Sequence, residues 1–113
     1  MKQRLCALLE DIPGVAVAGI ADDSVSACLL IRAMLPDVVI LDIRLASGSG
    51  IEVLREIKAE SPSPLVIMLT NYSEPQFRET CLTAGADYFL DKSKEFDRLR
   101  EILAKRTGLG SRE

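Results

Sequence analysis

Val38-Val39-Ile40-Leu41-Asp42-Ile43 is a run of β-branched and aliphatic residues entered through Pro36-Asp37. Apolar side chains point both ways along it, so it predicts a strand covered on both faces, as in a parallel sheet between layers of helices. Asp42 is the exception. Desolvating a carboxylate is costly, so Asp42 belongs at the strand's carboxyl end, the edge where open α/β sheets place their ligands. On its own, that position suits a solvated strand end or a turn cap as well as a reactive group.

Working outward toward the amino terminus, Leu5, Leu8, Leu9 and Ile12 recur at helical spacing until Pro13-Gly14 stops them, so the chain opens inside an amphipathic helix with no strand ahead of it. Val15 to Ala21 reads as a strand, and Asp22-Asp23-Ser24 offers caps for a helix from about Val25 to Leu35. Cys28, Leu29, Ile31 and Leu35 give that helix an apolar face, and Pro36 closes it.

Working toward the carboxyl terminus, Leu45-Ala46-Ser47-Gly48-Ser49-Gly50 is a small-residue loop without the lysine or spacing of a P-loop or a dinucleotide fingerprint. A helix from Ile51 to about Glu60 buries Ile51, Leu54 and Ile57, and a strand follows from Leu65 to Leu69. Thr70 ends that strand, and Ser73-Glu74-Pro75-Gln76 predicts a capping box opening a helix that buries Phe77, Cys81 and Leu82. Ala84-Gly85-Ala86 terminates it. Asp87 to Leu90 is a short strand leading into Asp91-Lys92-Ser93, and a final helix from about Lys94 to Lys105 buries Phe96, Leu99, Ile102 and Leu103.

One helix followed by four strand–helix units specifies a doubly wound parallel α/β sheet of four strands with helices on both faces. The 113 residues, 48% of them hydrophobic, support one domain with its own core. We assign 1–106 to it and 107–113 to a polar, flexible tail. A net charge of −3 without any basic stripe argues against direct nucleic-acid or anionic-membrane binding. Cys6, Cys28 and Cys81 are odd in number and lie in helical apolar patterns, which fits free thiols in a reducing cytoplasm. There is no histidine, which removes His-based acid–base catalysis, Ser-His triads and the commonest metal ligand. No segment approaches the ~20 apolar residues of a membrane span, and no secretory leader is evident. We expect a cytoplasmic protein that is not an enzyme in its own right.

Three predicted strands end in Asp42, Thr70 and Lys92, which a parallel sheet brings to one edge. A carboxylate nucleophile, a hydroxyl donor and an ammonium together suit phosphoryl transfer. Taken singly, Thr70 reads as a turn hydroxyl and Lys92 as a surface lysine paired with Asp91.

Val39-Ile40-Leu41-Asp42-Ile43-Arg44-Leu45, Leu69-Thr70-Asn71 and Ala84 through Ser93 resemble the receiver domain of two-component response regulators, a flavodoxin-like fold, over nearly the whole chain from Leu5. The resemblance implies that Asp42 is the phosphoacceptor, Thr70 the switch hydroxyl, Lys92 the phosphate-contacting lysine and Phe89 the rotameric aromatic coupled to Thr70. Phe89 reads equally as core packing. It also implies that the Arg44 backbone carbonyl is a magnesium ligand and Gly50 the glycine that opens the next helix. The partners implied are a sensor histidine kinase or phosphotransfer protein and a downstream protein target, reached through the last two helices and strand.

Receiver domains begin with a central strand ending in an acidic pair that holds magnesium, and this sequence starts at the helix after it. Magnesium should therefore bind weakly. Ala46 replaces a usual proline and Asn71 a usual small residue. Three arrangements reconcile the difference: the strand lies upstream of Met1; a partner chain covers the open edge through homodimerisation or strand exchange; or Val15 to Ala21 slides beside the Asp42 strand and brings Asp22 and Asp23 to the metal. Capping is the competing role for those two aspartates. A phosphorylation-independent interaction or dimerisation module is the alternative function. With no DNA-binding domain after Lys105, direct transcriptional control is not expected of this chain.

Overall fold

The computed structural model of the chain describes residues 2–60 and 63–107. Its elements are α1 (Lys2–Glu10), α2 (Ser24–Met34), β1 (Val38–Leu41), α3 (Gly50–Ala59), β2 (Leu65–Thr70), α4 (Pro75–Thr83), β3 (Tyr88–Asp91) and α5 (Arg98–Thr107). The strands form one parallel sheet in the order β1-β2-β3, with Leu41 opposite Met68 and Met68 opposite Phe89.

Two apolar layers sandwich the sheet. Val39, Leu41, Val66, Met68 and Phe89 pack against α2, α3 and α4, whereas Ile67, Leu69 and Leu90 pack against α1 and α5. Alternate residues of a strand face opposite sides, so the double coverage explains why β1 and β2 read as continuous apolar runs. Helices on both faces of a parallel sheet are thus observed as the sequence predicts.

The fourth strand is not. Residues 15–21 carry strand-forming Val15, Val17 and Ile20 yet run as irregular backbone, with Val17 45% and Ile20 54% exposed. The reason is pairing: a strand exists only against a neighbour, and β1, at the end of the sheet, pairs with β2 alone among the described residues. Among the described residues the sheet therefore has three strands, and its β1 edge has no neighbour.

Two helix starts also differ from expectation. Ser73 does not cap α4, whose N-cap is Glu74 without a side-chain cap bond; the Ser73 hydroxyl donates instead to Asp91 Oδ2 at 2.7 Å. The last helix begins at Arg98 rather than Lys94, because Asp91 draws the intervening residues into turns: its carbonyl accepts from Glu95 N at 2.7 Å and its Oδ1 from Ser93 N at 2.8 Å. Thr107, placed in the tail by sequence, is the last residue of α5, and the remainder of the expected tail, 108–113, lies outside the described residues.

Candidate functional site

The ends of β1, β2 and β3 meet at the sheet's carboxyl edge. Asp42 directly follows β1 and Lys92 directly follows β3. The Lys92 ammonium donates to Asp42 Oδ2 at 2.5 Å, with the two side chains 13% and 26% exposed. Lys92 thus pairs with Asp42 across the sheet and not with its neighbour Asp91. The pair is half-sheltered, which strengthens its attraction relative to a solvated surface pair while leaving Asp42 reachable from solvent.

Thr70, 0% exposed, continues the face of Val66 and Met68, toward α3 and α4. Its Oγ1 accepts from Tyr72 N at 3.1 Å, which leaves the hydroxyl proton for another acceptor. Phe89 is buried opposite Met68 and so shares this face with Thr70 two residues further along. The Arg78 guanidinium carbon lies 5.7 Å from the Phe89 ring centroid. Four of the sequence-predicted residues therefore fall into two groups: Asp42 with Lys92, and Thr70 with Phe89.

The loop after β1 is built to return quickly to a helix. Ser49 caps α3 in a full capping box with Glu52, which satisfies amides that the helix start would otherwise leave unpaired. Gly50, the first residue of α3, donates from its amide to Ile43 O at 2.8 Å. A Cβ at Gly50 would overlap the Asp42 carbonyl oxygen, so only glycine lets the positive end of α3 abut the Asp42 backbone.

Two features escaped the sequence. The Arg44 guanidinium donates to the Tyr72 hydroxyl at 2.7 Å and lies 5.7 Å from its ring centroid, joining the loops after β1 and β2. No local pattern links residues so far apart. Asp91 is the second: its carboxylate accepts from the Ser73 hydroxyl, from the Ser93 hydroxyl and amide, and from Lys94 N. The Ser73 and Ser93 hydroxyls, followed by the Ser93 amide, hold its pKa down at about 2. An Asp two residues before a Ser is a known turn signal, so this turn could have been foreseen.

A magnesium ion at Asp42 would draw on backbone carbonyls and water besides side-chain carboxylates. A magnesium or calcium ion takes about six oxygens or more, yet no group of three or more acidic or thiol side chains comes together among the described residues. Asp42 Oδ2 is already engaged by Lys92. Asp23 caps α2, accepting from Ser26 N at 2.8 Å, and that amide bond lowers its pKa. Asp22 lines the same cavity as Asp42 and Lys92.

The response regulator receiver domain family matches residues 1–104. The transcriptional regulatory protein ZraR of Salmonella typhimurium is 32% identical, over 76% of this chain and 25% of that protein. The probable transcriptional regulatory protein TcrX of Mycobacterium tuberculosis is 38% identical, over 79% of this chain and 39% of its own length. The chain thus spans well under half of either relative. Among solved structures, the signal receiver domain of the NarL response regulator of M. tuberculosis superposes with a TM-score of 0.84 at 27% identity, covering 95% of this chain and 86% of that one. A LuxR-family DNA-binding response regulator from Staphylococcus aureus gives 0.81 at 26% identity, over 95% and 92%.

Proposed function

The chain belongs to the response regulator receiver domain family, and from that premise we propose that it is a phosphoacceptor module modified on Asp42. A carboxylate oxygen of Asp42 attacks the phosphorus of a partner's phosphohistidine; the new P–O bond forms as the P–N bond breaks, and the imidazole leaves with the electron pair. Lys92 moves its ammonium from the free carboxylate to a phosphoryl oxygen, and the Thr70 hydroxyl donates to another. The observation that carries this reading is the 2.5 Å Lys92–Asp42 pair at the carboxyl edge, which sets a cation beside the nucleophile. Output runs through contact with a downstream protein on the face of α4, β3 and α5, with Phe89 following Thr70. The Arg44 carbonyl and Asp22 are the oxygens able to join Asp42 at a magnesium ion, and Asp23 stays with α2; no step of the transfer is drawn through that ion.

The test is incubation with acetyl phosphate and magnesium, read by intact mass. One phosphoryl adduct on the parent protein and none on Asp42→Asn supports the reading; an adduct that survives in Asp42→Asn refutes it. The second reading is an interaction module that takes no phosphate, and what favours it is that no third acidic side chain gathers with Asp42 among the described residues. No adduct at any donor or magnesium concentration would select it.

A further inference from the structure

Arg44 is a cation held by a neutral group. Among the described residues its guanidinium enters no ion pair; it donates to the Tyr72 hydroxyl at 2.7 Å and lies 5.7 Å from that ring's centroid. Elsewhere in the fold basic side chains meet acids, as Lys58 meets Asp87, Arg32 meets Glu60 and Arg98 meets Glu95. A phenol is a weaker acceptor for a guanidinium than any ionised oxygen, so the Arg44–Tyr72 bond yields to an anion that comes within reach.

Both partners are fixed at the edge where Asp42 and Thr70 lie. The Arg44 amide makes a long contact of 3.4 Å to Asp42 Oδ1, while Lys92 holds Oδ2 of the same carboxylate. The Tyr72 amide donates to Thr70 Oγ1 at 3.1 Å, and its ring meets Phe77 edge-on, with centroids 6.2 Å apart. The side-chain bond from Arg44 to Tyr72 thus spans the loops that leave the nucleophile and the hydroxyl donor. Charge supplies the reason for it to open. The Asp42 carboxylate carries one negative charge, which Lys92 matches. A phosphoryl group in its place carries about −1.5 to −2, more than one ammonium balances, and a guanidinium fork suits its oxygens.

We propose that Arg44 is a second phosphoryl-binding cation: as Asp42 takes the phosphoryl group, the guanidinium leaves the Tyr72 hydroxyl and binds a phosphoryl oxygen. This rests on the phosphoacceptor reading and concerns the Arg44 side chain, not its carbonyl.

The full chain is incubated with acetyl phosphate at constant magnesium, adduct formation is followed by intact mass, and the hydroxyl-bearing ring carbon of Tyr72 is followed by carbon-13 NMR. Tyr88 is the other tyrosine, so Tyr72→Phe assigns the line. Arg44 is exposed and Tyr72→Phe keeps the ring, so the variants test the site without disturbing the core. Arg44→Met slows adduct formation about tenfold, whereas Tyr72→Phe, which frees the guanidinium, does not slow it. A pair that only braced the two loops would slow both variants alike. The Tyr72 line of unmodified Arg44→Met is displaced from that of the parent; phosphorylation moves the parent's line to the same position and leaves that of Arg44→Met where it was. Parental rates in Arg44→Met overturn the proposal. So does equal slowing in both variants, and so does a Tyr72 line that stays in place while the parent takes up the phosphoryl group. The parent's own adduct separates the two failures: its absence refutes the phosphoacceptor reading and this inference with it.

Discussion

Residues 65–70 and residues 15–21 are alike as sequences, both apolar, β-branched and placed between helices, yet one is the most buried strand of the molecule and the other is not a strand. β2 has β1 and β3 beside it, a helical layer on each face, and Val66, Ile67 and Met68 at 0% exposure. Residues 15–21 have no strand beside them among the described residues, and 16–20 are exposed. Strand propensity is a preference for a half-built surface, and the contrast locates the decisive contribution in lateral pairing rather than in composition.

Core substitutions should break the symmetry between the two regions most sharply. Leu54→Ala, at a fully buried position between α3 and the sheet, is expected to cost about 3 kcal/mol in a denaturant melt. A loss under about 1 kcal/mol would mean that this layer is as loosely packed as the open one. Removing the α3 cap with Ser49→Ala, which breaks a two-way capping box, should cost about 1 kcal/mol, and the same melt reads it.

Acid sharpens the comparison on the β3 side. The Asp91 carboxyl, ordinarily at 3.8, is held down at about 2 by the Ser73 and Ser93 hydroxyls and the Ser93 amide. A group with a lowered folded pKa stabilises fully above its unfolded value and loses that contribution as pH falls through the folded one. Stability should therefore decline between pH about 4 and 2, and in Asp91→Asn this part of the decline should be absent from acid titrations followed by circular dichroism. The smallest effect is expected where the strand is missing: Ile20→Thr, at a 54% exposed site, should alter stability by no more than about 0.5 kcal/mol. A loss near that of Leu54→Ala would indicate that residues 15–21 spend most of their time paired.

Much of this molecule is legible in its sequence wherever local pattern and tertiary setting agree. The apolar runs at Val38 and Leu65, the helix stops at Pro36 and Gly85, and the convergence of Asp42 with Lys92 all follow from periodicity and the geometry of parallel strands. Residues 15–21 mislead because the neighbour a strand needs is a property of the sheet and leaves no mark on the strand itself. The partner of Ser73 is illegible for a related reason: its hydroxyl can cap a helix or reach Asp91, and only the folded distance decides. Arg44 and Tyr72 meet solely because two loops end at one edge.

Asp91 has one more consequence. Its carboxylate grips the Ser73 hydroxyl at the entrance to α4 on one side and the Ser93–Lys94 turn on the other, and Lys92 lies within that turn. Because all three share that carboxylate, a shift of the Lys92 backbone would pull on the entrance to α4. A change in what Lys92 holds would then be felt on the outer surface of the domain through a single shared carboxylate.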